Sequence, residues 1–227
     1  MKLTLIEKRP TTNDVTAFIF KPENPLTWVA GQFMQYTLPH DNPDDRKTQR
    51  YFTISSAPFE NNIMVTTRLA PQSSTFKSSL FALPIGGSME AEGPMGSFTL
   101  NAPAQDFIFI AGGIGVTPYR SILLDLDNKN IPIRGKLLYA NRDNNFVFKK
   151  ELEELASKHP DFKILYFMEP EKIDAAAIKQ AASDLKTQTF YISGPEPMVQ
   201  AFEKMIMEMG APTEHIKRDY FPGYKVI

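Results

Sequence analysis

Short apolar runs and turn clusters alternate through the first hundred residues. The runs at 16–20, 32–38, 51–54 and 63–68 are rich in β-branched and aromatic residues. Turn-forming stretches at 22–25 and 42–45 separate them. Closely spaced short strands predict an antiparallel barrel or sandwich. One helix is expected to interrupt it, opening near Ser73-Ser74-Thr75 and running through Phe81. Gly86-Gly87 and Gly93-Pro94-Met95-Gly96 are read as turns that close the region.

Beyond residue 103 the pattern changes to strands alternating with helices. Apolar strands are expected at 107–111, 136–139, 164–167 and 189–192. Helices are expected at 118–127, 149–158, 175–182 and 197–209. That alternation predicts a doubly wound α/β layout around a parallel sheet. The expected organisation is therefore two domains, an N-terminal antiparallel β-barrel over 1–102 and a C-terminal α/β domain over 103–227.

Composition narrows the function. The 227 residues allow one large domain or two small ones; hydrophobic residues make up 42%, enough for real cores, and the net charge is −1. A near-neutral chain has no basic field for nucleic acid and no polybasic run for a membrane. No apolar stretch reads as a signal peptide or has spanning length, so a cytoplasmic protein without membrane insertion is expected. The chain contains no cysteine. Disulfides, thiolate chemistry and Cys-ligated iron–sulfur clusters are thereby excluded from it. His40, His159 and His215 are not spaced as metal ligands, and no metal is expected.

One segment carries specific chemistry. Asp106-Phe-Ile-Phe-Ile-Ala-Gly-Gly-Ile-Gly-Val-Thr-Pro118 reads as a buried strand that breaks into glycines and then opens a helix. Gly112, Gly113 and Gly115 permit a sharp turn and close approach of a phosphate to backbone amides. Thr117 is expected as N-cap and Pro118 at the first helical position. The positive end of that helix then favours a pyrophosphate. A plain strand-to-helix turn is the competing reading.

The turn resembles the Gly-Gly-x-Gly-x-Thr-Pro nicotinamide motif of the ferredoxin–NADP reductase superfamily. Four further motifs follow the same family order. Arg50-Tyr51-Phe52-Thr53 resembles its flavin motif, and Gly93-Pro-Met-Gly-Ser-Phe98 its barrel-closing element. Ser193-Gly194-Pro195-Glu-Pro-Met198 resembles a Cys-Gly-Pro-x-x-Met turn, and Asp219-Tyr-Phe221 a terminal acidic-x-aromatic element. The resemblance spans nearly the whole chain.

It implies roles for individual residues. Arg50 would pair with a flavin phosphate through forked charge-assisted bonds. Phe52, beside Tyr51, would pack on the isoalloxazine ring, and Thr53 would hydrogen-bond near flavin N5. Ser74 and Thr75 would hold flavin pyrophosphate, or serve only to cap a helix. Gly194, Pro195 and Met198 would flank the nicotinamide, with Ser193 in place of the usual cysteine. Phe221 would cover the second flavin face, and Tyr224 would reach the flavin or its adenine. After the second α/β strand, Arg142 would bind a 2′-phosphate, whereas Asp143 would accept from a 2′-hydroxyl.

The implied protein is a flavoenzyme that passes hydride from NADPH or NADH to FAD and electrons onward. Arg142 tilts the coenzyme expectation to NADPH. FAD is expected over FMN, because the loop at 39–49 and the aromatic tail offer cover for an adenine. Ferredoxin, flavodoxin or a small molecule would be the acceptor. The alternatives are a reductase subunit of a multicomponent electron-transfer system and a module that kept the fold without the chemistry.

Overall fold

The computed structural model describes residues 1–100 and 106–221. The domain boundary expected at 102/103 lies outside the described residues, as does Tyr224.

The N-terminal half is a six-stranded antiparallel sheet in the order β4-β3-β6-β1-β2-β5. Its strands are β1 (Lys2–Pro10), β2 (Val15–Pro22), β3 (Phe33–Thr37), β4 (Gln49–Thr53), β5 (Ile63–Arg68) and β6 (Ser88–Met95). The sheet curls until its edges converge: Ser55, just past β4, donates its backbone N–H to Met64 O of β5 at 2.8 Å. Alternation puts Leu3 and Leu5 of β1 and Phe18 and Phe20 of β2 into one core. Helix α1 (Thr75–Ala82) plugs that core with Phe76 and Leu80. Ser74 caps α1, accepting from Lys77 N, so the helix begins where the hydroxyl run predicts.

One sequence expectation changes, and one strand is added: residues 2–10, not among the expected strands, form β1 in the middle of the sheet. The turn expected from Gly93 is a bulge inside β6: Glu92 pairs with Gln35 and Met95 with Phe33, leaving Gly93 and Pro94 opposite the single residue Met34, one extra residue in the ladder. A glycine–proline pair reads as a turn locally, but pairing on both sides keeps it within the strand.

The C-terminal half is a five-stranded parallel sheet in the order β11-β10-β7-β8-β9. The strands are β7 (Phe107–Gly112), β8 (Gly135–Asn141), β9 (Phe162–Met168), β10 (Thr189–Pro195) and β11 (Ile216–Phe221). Helices α2 (Thr117–Asn128), α3 (Lys149–Lys158), α4 (Ala175–Ala181) and α5 (Glu196–Glu208) cover it. Strand β7 is buried along its whole length because both faces are packed. Phe107 and Phe109 face the core built with Tyr119, Leu123 and Leu152 of α2 and α3. Ile108 and Ile110 face the core built with Ile178, Val199 and Phe202 of α4 and α5. The doubly wound layout follows from that alternation.

A buried ion joins the halves. Arg120 of α2 is 3% exposed. Its guanidinium donates to Ser55 O at 2.8 Å and to both carboxylate oxygens of Glu60 at 2.8 and 3.1 Å. It also grips both oxygens of Glu151 on α3, at 2.6 and 2.9 Å, and lies over the Phe148 ring. Beside it Ser121 donates to Ser56 O at 2.6 Å, and Tyr191 donates to Thr99 O at 3.3 Å.

Replacing Arg120 with Met removes the cation and leaves two carboxylates facing each other across the junction. A loss of about 3 kcal/mol is expected, the low end for a broken buried pair because both glutamates keep some solvent contact. Equilibrium urea unfolding measures it; a loss below about 1 kcal/mol would contradict the junction role.

Candidate functional site

The parallel sheet runs from β7 outward to β8 and β9, then returns to β10 on the opposite side of β7. The carboxyl ends of β7 and β10 therefore meet where the strand order reverses, the usual ligand crevice of open parallel sheets. The turn after β7 lies there, a 3-10 turn over Gly113–Val116 that continues directly into α2. The turn after β10, Ser193-Gly194-Pro195, packs against it. A Cβ at Gly115 would stand 2.2 Å from Ser193 O, and one at Gly112 would stand 2.3 Å from Met198 Sδ. Gly115 is thus required for the two turns to touch, because it meets backbone, whereas Gly112 makes room for the Met198 side chain that packs beside them.

Thr117 is the first residue of α2 rather than its cap. Val116 precedes it with helical angles, φ −68° and ψ −16°, and no side chain caps the helix. The glycine turn winds straight into the helix, so no extended residue remains to act as an N-cap. Thr117 is buried, and it borders the cleft described next.

That cleft, of about 820 Å³, opens between β4, β5, the start of α1 and the glycine turn. Arg50, Tyr51, Phe52, Thr53, Ser74 and Thr117 all line it, so six expected site residues from three separate segments converge. Its charged lining is cationic: Arg46, Arg50, Arg68 and Lys77 border it, with no carboxylate among the lining residues. Tyr51 is 53% exposed and meets Phe33 edge-on. Phe52 is half-buried against Tyr36 and Phe76. Two polar atoms at the cleft, Thr66 Oγ1 and Arg50 Nε, are buried without a protein partner.

Arg50 is nearly enclosed. Nη1 donates to the carbonyls of Arg46, Lys47 and Gln49, and Nη2 donates to the Asp44 carboxylate. Thr75 does not border the cleft; its hydroxyl accepts from Asp44 N at 3.0 Å and meets His40 Nε2 at 3.0 Å. Thr75 therefore anchors the 39–49 loop, a task its sequence position does not announce.

Where the two halves face each other, Asp219 bridges Thr53 and Ser193. Ser193 Oγ donates to Asp219 Oδ2 at 3.1 Å, and Thr53 Oγ1 donates to the same oxygen at 3.5 Å. Burial of the carboxyl raises its pKa to about 6, against the lowering effect of the Ser193 and Thr53 hydrogen bonds. The sequence reading gave Asp219 no role of its own. The signal is register: β11 lies beside β10 with Asp219 opposite Ser193, and no motif in the chain reveals that pairing.

At the end of β8, Arg142 is exposed. Asp143 is committed locally, accepting from Asn145 N at 2.8 Å and Asn141 Nδ2 at 3.1 Å. Hydrogen bonds from Asn145 hold its pKa below the usual carboxylate value. Gly113 has open space where a side chain would stand, with Asn141 the nearest neighbour. Phe221 ends β11, and its side chain lies outside the described residues. Among the described residues no cluster of three metal-ligating side chains occurs, and no helix is long and apolar enough to cross a membrane.

Residues 109–204 match the family described as the oxidoreductase NAD-binding domain. The ferredoxin reductase component of 3-ketosteroid-9-alpha-monooxygenase from Mycolicibacterium smegmatis is 27% identical, aligned over 97% of this chain and 65% of its own length. The cytochrome b5 reductase domain of Ulva prolifera nitrate reductase superposes with a TM-score of 0.82 at 25% identity, covering 96% of each chain. The Amycolatopsis cytochrome P450 reductase GcoB superposes with a TM-score of 0.84 at 21% identity, over 97% of this chain and 70% of that one. The chain spans between 56% and 65% of the length of the first curated relatives it matches. With the antiparallel barrel, the parallel sheet and the glycine turn at its switch point, the chain has the two-domain fold of these reductases, and its 109–204 segment matches their NAD-binding domain.

Proposed function

We propose that the protein is a flavin-dependent NAD(P)H oxidoreductase that delivers electrons to a redox partner. The observation that carries this reading is the cleft itself. It joins a cationic phosphate-binding end to aromatic Tyr51 and Phe52, and it opens onto the nicotinamide-type turn through Thr117. A flavin nucleotide has those same parts, a planar ring system and one or two phosphates. The unpartnered Thr66 hydroxyl and Arg50 Nε are the hydrogen-bonding capacity such a ligand would use.

Each residue then has a task. Arg50, Lys77 and the start of α1 attract the flavin phosphates. Tyr51 and Phe52 pack on the ring system. Thr53 and Ser193, tied through Asp219, hold hydroxyls at the meeting point of the two halves. The turn at Gly112, Gly113 and Gly115, with Thr117 and Pro118, receives the pyridine nucleotide phosphates, and Gly194 and Pro195 flank its ring. Phe221 and Tyr224 complete the proposed cover. When bound, the flavin supplies an acceptor for the nicotinamide hydride and releases the electrons singly or in pairs.

FAD is favoured over FMN because the ordered loop at 39–49 stands beside the phosphate end. NADPH is favoured over NADH because Asp143 is spent on its own turn while Arg142 is exposed. The acceptor class follows relatives that are reductase components of monooxygenases, which makes ferredoxin, flavodoxin or an oxygenase component the fitting partner. The chain's two proposed domains are 1–102 for flavin and 103–227 for nucleotide.

The purified protein is expected to show a flavin absorption band that bleaches on anaerobic addition of NADPH, and Arg50→Ala to purify with little flavin. A colourless protein that takes up neither FAD nor FMN would refute the reading. Arg142→Ala should raise KM for NADPH about tenfold, the effect of one lost charge-assisted contact, and leave NADH unchanged; equal effects on both would remove the 2′-phosphate role.

Asp219 adds a pH signature. Its folded pKa lies above the unfolded value near 3.8, so it favours the folded state fully below about pH 4 and loses that contribution as pH rises through about 6. Compared with Asp219→Asn, the native protein should lose about 2 kcal/mol between pH 4 and 7, less than the full shift implies because the residue keeps some exposure. Parallel stability curves in urea would count against the buried carboxyl.

A further inference from the structure

The guanidinium of Arg50 already holds an anion. Its Nη2 sits on the Asp44 carboxylate, with Oδ2 at 2.6 Å, and its Nη1 is taken by three backbone carbonyls. One face lies over Phe76, with 5.6 Å between the guanidinium carbon and the ring centroid. Only Nε is without a protein partner, and it is buried. Both Nη ends of the fork are therefore closed to a phosphate until Asp44 moves.

Asp44 is held in that position rather than resting there by chance. Its backbone N–H donates to Thr75 Oγ1, and its carboxylate also accepts from Arg46 N at 3.0 Å. Its pKa is lowered, burial raising it less than the Arg50 and Arg46 contacts depress it. His40 braces the same loop between Leu38 O and Thr75 Oγ1, and Leu38 N is tied to Thr48 O. A carboxylate fixed on the arginine fork is the nearest protein equivalent of a phosphate oxygen pair.

We infer that Asp44 is an internal stand-in for the flavin phosphate, so that cofactor uptake exchanges one anion for another on Arg50. This rests on the flavin reading of the cleft. The exchange keeps the arginine charge compensated when the cofactor is absent, since a buried unpaired guanidinium is costly. It also subtracts the strength of the Asp44 pair from the affinity for the phosphate. The contact thus sets how tightly the cofactor is retained, and it acts only on ligands that carry a phosphate.

The test is fluorescence-quenching titration of the flavin-free protein with FMN, FAD and riboflavin, for the native chain and Asp44→Asn. The variant should bind FMN at least about fivefold more tightly, the worth of a partly exposed ion pair. FAD should shift in the same direction, and riboflavin, which lacks phosphate, should not shift. Asp44→Ala repeats the measurement with the side chain removed, and thermal melting of each variant checks that the fold is kept. Unchanged or weaker FMN binding in folded variants would overturn the inference, the weaker case meaning that Asp44 orients Arg50 for the phosphate. Equal tightening of riboflavin would overturn it as well. If the native chain and both variants bind none of the three flavins, the flavin reading fails and this inference falls with it.

Discussion

Everything at the centre of this molecule depends on the burial of one cation between two independently cored halves. Arg120 leaves α2 beside the glycine turn and ends on the carbonyl of Ser55 and the carboxylates of Glu60 and Glu151. A buried guanidinium requires compensation from every side, and here the compensation comes from both halves at once. Sliding or opening the junction would strand the charge. The geometry of the junction is thereby fixed, and with it the approach of Thr53 in the barrel to Ser193 and Asp219 in the α/β half.

Charge is also distributed with a purpose that the net value conceals. The chain is nearly neutral, yet the lining of its principal cleft gathers four cations and no carboxylate. The acids that balance two of them, Asp44 on Arg50 and Asp14 on Arg68, approach from outside the lining. Such an arrangement gathers positive charge at the cleft that the chain's net charge does not reveal. The opposite polarity holds at the junction, where Asp219 is a carboxyl kept by packing and met by two hydroxyl donors.

Much of the fold was legible because local patterns and global packing agree. The period-two apolar runs became strands, the doubly buried Phe107–Gly112 run became the central parallel strand, and the hydroxyls at 73–75 opened α1. The exceptions have particular causes. Strand β1 is half polar because only one face of it is covered. The Gly93-Pro94 pair signals a turn and is instead a bulge kept within the strand by pairing on either side. Thr117 has a cap's chemistry without a cap's backbone, since the preceding residues are already helical. Thr75 looks like a phosphate ligand beside Ser74, but helical rotation turns it toward the loop and away from the cleft.

The chain by itself determined the two element patterns, the order of the motifs and the residue types at each turn, because these depend on neighbours a few positions apart. Tertiary structure decided which of those residues share a site. Asp219 and Ser193 are 26 positions apart, and Thr53 and Asp219 are 166 apart. Only parallel pairing of β11 with β10 and docking of the halves bring them to one oxygen. The Asp44–Arg50 pair is likewise six residues apart in the chain, but its meaning comes from the helix, ring and loop that enclose it. Contacts across such separations are set by strand register and by the packing of whole layers, quantities that no local pattern encodes.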